Sequence, residues 1–189
     1  MKAIILAAGR GSRMNDLTTD QPKCFVHLHG KRLLDWQLSA LRGAGINEIA
    51  IVRGYRGEMF TEPLTYFDNP RWEQTNMVRT LATARDWLVS GACIVSYADI
   101  FYSAETVRRL AACPESLAIS YDPAWLVLWQ RRFADPLQDA ETFRRHPDGT
   151  LAEIGQRSDR LDTIEGQYMG LLKVTPEGWR SIEHLLEEL

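Results

Sequence analysis

The apolar positions of this chain fall into short strand-like runs separated by segments with helical periodicity. Ala3-Ile4-Ile5-Leu6-Ala7-Ala8 is an unbroken apolar run, the pattern of a central strand covered on both faces. Gly9-Arg10-Gly11-Ser12-Arg13 follows and predicts a loop. Over residues 31–42, Leu34, Leu38 and Leu41 recur at helical spacing, and Gly43 and Gly45 end the element. Ile49-Ala50-Ile51-Val52 predicts a second short buried strand stopped by Gly54. Met77, Leu81, Ala84 and Leu88 stand at i, i+4, i+7 and i+11, which predicts one amphipathic helix over residues 75–89. Ala92-Cys93-Ile94-Val95-Ser96 predicts a third strand, with Asp99 just past its carboxyl end. Ser103 is placed to cap a helix reaching about Ala112, and residues 117–121 return as a strand.

Beyond residue 121 the pattern reads as β-rich, with strands at 141–145, 151–154 and 168–174. Pro147-Asp148-Gly149 is the turn signal between the first two. Thr175 and Pro176 supply the cap and first position of a last helix. Strands alternating with helices over the first two thirds argue a three-layer, Rossmann-like α/β/α fold with a mixed, mainly parallel sheet. No repeat or linker-like stretch divides the chain. The expectation is one domain over residues 1–189, a nucleotide-binding part at 1–112 and an acceptor-binding part at 113–189.

Composition narrows the function classes. The 189 residues carry 22 basic and 25 acidic side chains, a net charge of −3, and so lack the basic excess of a nucleic-acid binder. No apolar run reaches the ~20 residues that span a bilayer, and the first run is too short for a signal-peptide core. Cys24, Cys93 and Cys113 are odd in number and form no CxxC pair, as expected of reduced thiols in a cytoplasmic protein.

The loop after the first strand carries the candidate chemistry. Small residues there let backbone amides approach an anion, and Arg10, Arg13 and Lys23 add fixed positive charge, a combination suited to a triphosphate. The loop is no P-loop, because GxxxxGK[ST] is absent. It is no dinucleotide fingerprint either, since Met14 fills the third glycine position and Pro22 lies where the helix should run. Taken alone, such a glycine-rich turn is equally well a plain turn. The longer pattern is more specific. Leu6-Ala7-Ala8-Gly9-Arg10-Gly11-Ser12-Arg13, then Thr18, Pro22-Lys23, Gly30-Lys31 and Leu33-Leu34, resembles the nucleotidyltransferase superfamily of sugar-phosphate and related cytidylyltransferases. Arg32 stands where that pattern usually has proline. Gly54-Tyr55 and Asp99 match the family's second-strand loop and the acid after its central strand. The runs at 75–81, 135–137, 139–143 and 165–170 are similar to bacterial phosphocholine cytidylyltransferases.

The resemblance implies a reaction and roles. An acceptor phosphate or phosphonate oxygen attacks the α-phosphorus of a nucleoside triphosphate, CTP above the others, and pyrophosphate leaves. Arg13 grips the pyrophosphate, Lys23 contacts the α-phosphate, and Asp99 holds Mg²⁺. Leu6 through Arg13, Gly54 and Tyr55 border the nucleotide, and Asn76 and Thr80 are the base-contact candidates. Read without the resemblance, Asp99 is a turn or capping aspartate, Lys23 a solvated lysine, and the stretch holding Asn76 and Thr80 an ordinary helix start. The family's second metal-binding aspartate, expected after the final helix, has no evident counterpart before Glu187-Glu188-Leu189.

For the acceptor, Trp125 and Trp129 lie four apart near Asp122, and Asp139, Glu165 and Tyr168 follow. Aromatic faces beside carboxylates suit a cationic head group, whereas core packing is the alternative use of the same rings. His27 and His29 alternate along a strand-like stretch and are expected to have no role; the pairs Arg131-Arg132 and Arg144-Arg145 are expected to be solvated, with contact of one pair to the acceptor's phosphate as the alternative. The competing readings are a sugar-1-phosphate nucleotidyltransferase and a non-catalytic nucleotide-binding subunit of the same fold. A homodimer is compatible with the sequence and not specified by it.

Overall fold

β1 (Lys2–Ala7) is buried along nearly its whole length, and its side chains divide by parity between two cores. Ala3, Ile5 and Ala7 join one cluster with Leu34, Leu38, Leu41, Val107 and Leu110. Ile4, Leu6 and Ala8 join another with Leu81, Leu88, Val174 and Trp179. Because strand side chains alternate at period two, a continuous apolar run requires cover on both faces. Helices supply it. The computed structural model describes residues 1–11 and 17–188.

The cover on the first face comes from α1 (Leu33–Gly43) and α4 (Ala104–Ala112), and on the second from α2 (Met77–Ala82), α3 (Arg85–Ser90) and α6 (Pro176–Glu187). Burial of each large aliphatic side chain in such a layer contributes roughly 1.5–3 kcal/mol. The sheet has six strands. β4 (Ile49–Arg53) and β6 (Cys93–Tyr97) flank β1 in parallel, in registers that set Ile5 opposite Ile51 and Ser96. β5 (Thr65–Asp68) pairs parallel with β4, and β10 (Gln167–Val174) lies antiparallel to β6. With β7 (Leu117–Asp122) the order is β5-β4-β1-β6-β10-β7. The result is the three-layer α/β/α arrangement with a mixed, mainly parallel sheet.

The chain divides into two compact units, Met1–Ala118 with Gly170–Leu189, and Ile119–Met169. The second unit contains α5 (Trp125–Arg132) and the antiparallel hairpin of β8 (Glu141–Arg145) and β9 (Leu151–Arg157). Its core gathers Trp125, Ala140 and Ile164, with Leu126, Trp129 and Leu137 packed against them. Tyr121 stacks on Phe143 with centroids 5.0 Å apart.

Several elements depart from the sequence expectation. The helix expected over 75–89 is two helices. The Thr83 hydroxyl and amide both reach the Thr80 carbonyl, at 2.8 and 3.2 Å, and Ala84 bonds back to Leu81, so the ladder tightens and breaks before Arg85. Side-chain hydroxyls compete with the helix in this way. The stretch read as β-rich after residue 121 opens with α5, entered where the Asp122 carboxylate accepts the Ala124 amide at 2.8 Å. His27 belongs to a two-residue strand, β2 (His27–Leu28), paired with β3 (Lys31–Arg32). His29 has φ +51° in the intervening turn, so the two histidines do not share a strand face.

Candidate active site

The site is built where β1 and β6 end. A cleft of about 440 Å³ opens there, lined by Leu6, Ala7, Gly9, Gly11, Lys23, Met77, Tyr97, Ala98 and Asp99. Open α/β sheets place ligands at the carboxyl ends of their strands. The charged groups in this lining are Lys23 and Asp99, and the Lys23 ammonium donates directly to the Asp99 carboxylate. The pair is part-exposed, with a quarter and a third of the two side chains accessible.

Local sequence explains each placement. Pro22 adopts an extended conformation, and the chain then forms a single turn, Lys23–Phe25, whose Cys24 and Phe25 are buried. Those anchors leave Lys23 facing the cleft. Gly11 has φ +70°, and a Cβ there would stand 2.7 Å from the Lys23 side chain, so glycine lets the lysine cross the loop. The Thr18 hydroxyl donates to the Gly11 carbonyl at 3.1 Å. Gly54 meets a similar demand. Its Cβ would lie 2.8 Å from the Ala8 carbonyl and 2.7 Å from Trp72. With that space clear, the Tyr55 amide donates to Ala8 at 2.8 Å and ties the loop after β4 to the loop after β1. The guanidinium carbons of Arg10 and Arg56 lie 5.9 and 5.8 Å from the Tyr55 ring centre.

Asp99 lies in the turn that leaves β6. Gln37 of α1, fully buried, donates its amide protons to the carbonyls of Tyr97 at 2.9 Å and Ile100 at 2.7 Å, on either side of the aspartate. α1 also holds the lysine's turn, through Leu33 to Val26 at 3.0 Å and the Arg32 guanidinium 4.7 Å from the Phe25 ring. Arg32, at the usual proline position, bridges Asp35 and Glu62 at 2.8 Å each. Its guanidinium holds the Asp35 carboxyl below the usual range, and the hydrogen bonds it donates to Asp35 and Glu62 raise Arg32 in turn. Burial pushes the Cys24 thiol up to about 12.

The structure thus brings Leu6, Ala7, Gly9, Gly11, Lys23 and Asp99 together at one cleft, and joins Ala8, Arg10, Gly54 and Tyr55 to one another through the contacts above. Ser12 and Arg13 lie outside the described residues. Asn76 and Thr80 have hydrogen-bond partners within the protein. The Asn76 side chain caps α2 by accepting from Arg79 at 2.9 Å, and Thr80 is buried, accepting from Asn69 at 3.0 Å. Met77, between them, lines the cleft.

In the second unit the expected cation-binding aromatics have other partners. Trp125 is a core residue whose indole nitrogen donates to Ile164 at 3.3 Å, and its ring meets Trp129 edge-on at 5.8 Å. The Arg132 guanidinium lies 5.3 Å from the Trp129 ring centre. Packing uses the Trp125 ring, which is buried, while Trp129 is partly buried against the same cluster. Asp122 accepts the Ala124 amide in the turn before α5, while Asp139 is exposed and Tyr168 half-buried. Glu165 is exposed and pairs at 3.3 Å with Arg145, whose guanidinium lies 4.9 Å from the Tyr121 ring. Sequence reasoning gave no place at the cleft to Gln37 or Met77. Gln37 alone left a signal, as a polar residue on the Leu34-Leu38-Leu41 stripe.

Comparison with known proteins bears on the family. The chain is 44% identical over 184 residues to the CTP:phosphoglutamine cytidylyltransferase of Campylobacter jejuni, spanning 92% of this chain and 72% of that protein. It is 36% identical over 105 residues to the choline-phosphate cytidylyltransferase of Haemophilus influenzae, 53% of this chain and 44% of that one. The solved CTP:phosphocholine cytidylyltransferase of Streptococcus pneumoniae superposes with a TM-score of 0.68 over 96% of this chain and 74% of its own, a likeness of fold at 22% identity. No helix among the described residues is long and apolar enough to cross a membrane. Residues 3–160 match the MobA-like NTP transferase domain, and the chain belongs to that family of nucleotidyltransferase enzymes.

Proposed function

We propose that the protein transfers CMP from CTP to the phosphate or phosphonate group of a small acceptor bearing an amino group, with release of pyrophosphate. The observation that carries this reading is the Lys23–Asp99 pair in the cleft at the carboxyl ends of β1 and β6. CTP and a phosphorylated amino-bearing acceptor are inferred from the 44% identical relative, a CTP:phosphoglutamine cytidylyltransferase.

The chemistry asks little of a general base. A phosphate monoester has its second pKa near ~6 and is largely dianionic at neutral pH. One acceptor oxygen forms the new bond to the α-phosphorus, the bond from that phosphorus to the bridging oxygen breaks, and the electron pair leaves on pyrophosphate. The barrier is the meeting of two anions and the charge gathered on the leaving group. Positioning and fixed positive charge lower it. Lys23 would leave Asp99 to face the α-phosphate, while backbone amides of the Gly9–Gly11 loop border the triphosphate. Arg13 is assigned the leaving pyrophosphate on the resemblance alone.

Asp99 suits Mg²⁺. It offers a part-exposed hard oxygen donor, and no group of three potential ligands occurs among the described residues. That donor set fits a cation completing its shell with phosphate and water oxygens. When bound, the ion would neutralise charge on the phosphates. For the acceptor, the exposed carboxylates Glu165 and Asp139 and the half-buried Tyr168 remain the groups suited to an ammonium.

The test is a grid of CTP, UTP, GTP and dTTP against phosphoglutamine, phosphocholine, 2-aminoethylphosphonate, phosphoethanolamine and glucose-1-phosphate, scored by pyrophosphate release. CTP with an amino-bearing acceptor should exceed any sugar-phosphate pair at least about tenfold in kcat/KM, ~1.4 kcal/mol. UTP or dTTP with glucose-1-phosphate as the best pair would favour the sugar reading, and silence across the grid the non-catalytic one.

A further inference from the structure

We propose that Gln37 is a positioning residue that fixes Asp99 for nucleotidyl transfer, acting through the backbone of the turn that carries the aspartate; this rests on the cleft reading above. A carboxamide nitrogen has two protons, and both are spent within four residues of chain, on the carbonyls of Tyr97 and Ile100 at 2.9 and 2.7 Å. Asp99 lies between these fixed points. The Ser96 hydroxyl reinforces the first, donating to the Tyr97 carbonyl at 2.8 Å. The turn itself belongs to no helix or strand, so the buried amide does what a ladder does elsewhere.

The orientation of Gln37 follows from its partners. Both are acceptors, so only the nitrogen end of the amide can face them. The oxygen end is buried with no hydrogen-bond partner among the described residues. An unpaired buried acceptor is unfavourable, and a leucine on the Leu34-Leu38-Leu41 stripe would pack without it. The use of the amide therefore lies on its donor side, at the aspartate's turn. The same helix begins at the lysine's turn, where Leu33 bonds to Val26 and Arg32 covers Phe25. One rigid element thus indexes both charged groups of the cleft, and Gln37, four residues beyond Leu33, is its contact with the acidic one.

A simple core role predicts lost stability alone, whereas a positioning role predicts a loss specific to Asp99. The experiment compares Gln37→Met, Gln37→Asn and Asp99→Asn with the wild type. It measures melting temperature, CTP affinity in EDTA, Mn²⁺ binding in the presence of CTP by electron paramagnetic resonance, and kcat and KM. For folded Gln37→Met we expect a Mn²⁺ half-saturation and a kcat each about tenfold worse. CTP affinity in EDTA should be no weaker than wild type, because the glycine loop is untouched and a displaced Asp99 competes no better for Lys23. Gln37→Asn, too short to reach both carbonyls, should show the same defect at smaller size; if Gln37→Met does not fold, wild-type Mn²⁺ binding in Gln37→Asn overturns the proposal. Wild-type Mn²⁺ binding and kcat in folded Gln37→Met, while Asp99→Asn loses both, overturns the role of Gln37 and leaves the cleft reading standing. Wild-type Mn²⁺ binding and turnover in Asp99→Asn overturns both.

Discussion

Replacing Asp99 by asparagine should have opposite effects on two properties of the cleft. In the structure the carboxylate is the hydrogen-bonded partner of Lys23, the cation assigned to the α-phosphate. CTP without metal must therefore displace this ion pair, and it must also approach a negative charge. Two charges ~4 Å apart attract by about 1 kcal/mol in water and about 4 kcal/mol at an effective dielectric of ~20. With a quarter and a third of the two side chains accessible, solvent screening and side-chain entropy bring the pair toward the lower figure. Releasing Lys23 should then tighten metal-free CTP by about fivefold, the equivalent of ~1 kcal/mol, and removing the like charge adds in the same direction. Turnover with Mg²⁺ should fall on the order of a hundredfold or more, because the carboxylate oxygen offered to the cation is gone. Calorimetric titration of CTP in EDTA, beside steady-state pyrophosphate release, measures both quantities on one preparation. If Asp99→Asn binds metal-free CTP no more tightly than wild type, the ion pair does not compete with the nucleotide and Lys23 is not the phosphate contact.

Two further predictions follow from packing and burial. Gly54→Ala places a methyl group against the Ala8 carbonyl and the stem of Trp72, neither of which is a flexible chain end, so it should lose ~1–3 kcal/mol by chemical denaturation and weaken CTP. Gly91→Ala, with nothing within 4 Å and an extended φ of 172°, is the control and should stay within ~0.5 kcal/mol. Burial raises Cys24 to about 12 and Cys93 to about 11 from 9.0, so both thiols stay protonated in the folded protein. A raised acid pKa contributes stability that is complete below the unfolded value and is lost as pH climbs from about 9 toward those values. At pH 8 a thiol reagent should modify the half-buried Cys113 and reach the other two only on unfolding; rapid native labelling of all three would contradict their burial.

What was legible in the sequence is what local chemistry decides. The unbroken run at 3–8 needed cover on both faces, Ser103 and Thr175 capped the helices they precede, and Pro147-Asp148-Gly149 turned its hairpin. Periodicity could not show that the Thr83 hydroxyl would close back on Thr80 and split a helix. Nor could it show that Trp125 and Trp129, beta-favouring residues, would lie on α5. The charged centre was readable because Lys23 and Asp99 stand in a specific pattern. The element that orients them was not, because Gln37 acts on carbonyls sixty and more residues away. Aromatic count alone cannot separate an open ring face from a packed one, and Trp125 is packed.

The most direct test of the cleft as the seat of nucleotidyl transfer is a crystal structure with CTP and Mg²⁺ in the absence of acceptor. The triphosphate should lie over Gly9 and Gly11, with the Lys23 ammonium moved from Asp99 to an α-phosphate oxygen and the Asp99 carboxylate on the metal. CTP bound away from these residues, or bound with the Lys23–Asp99 pair intact, would contradict that assignment.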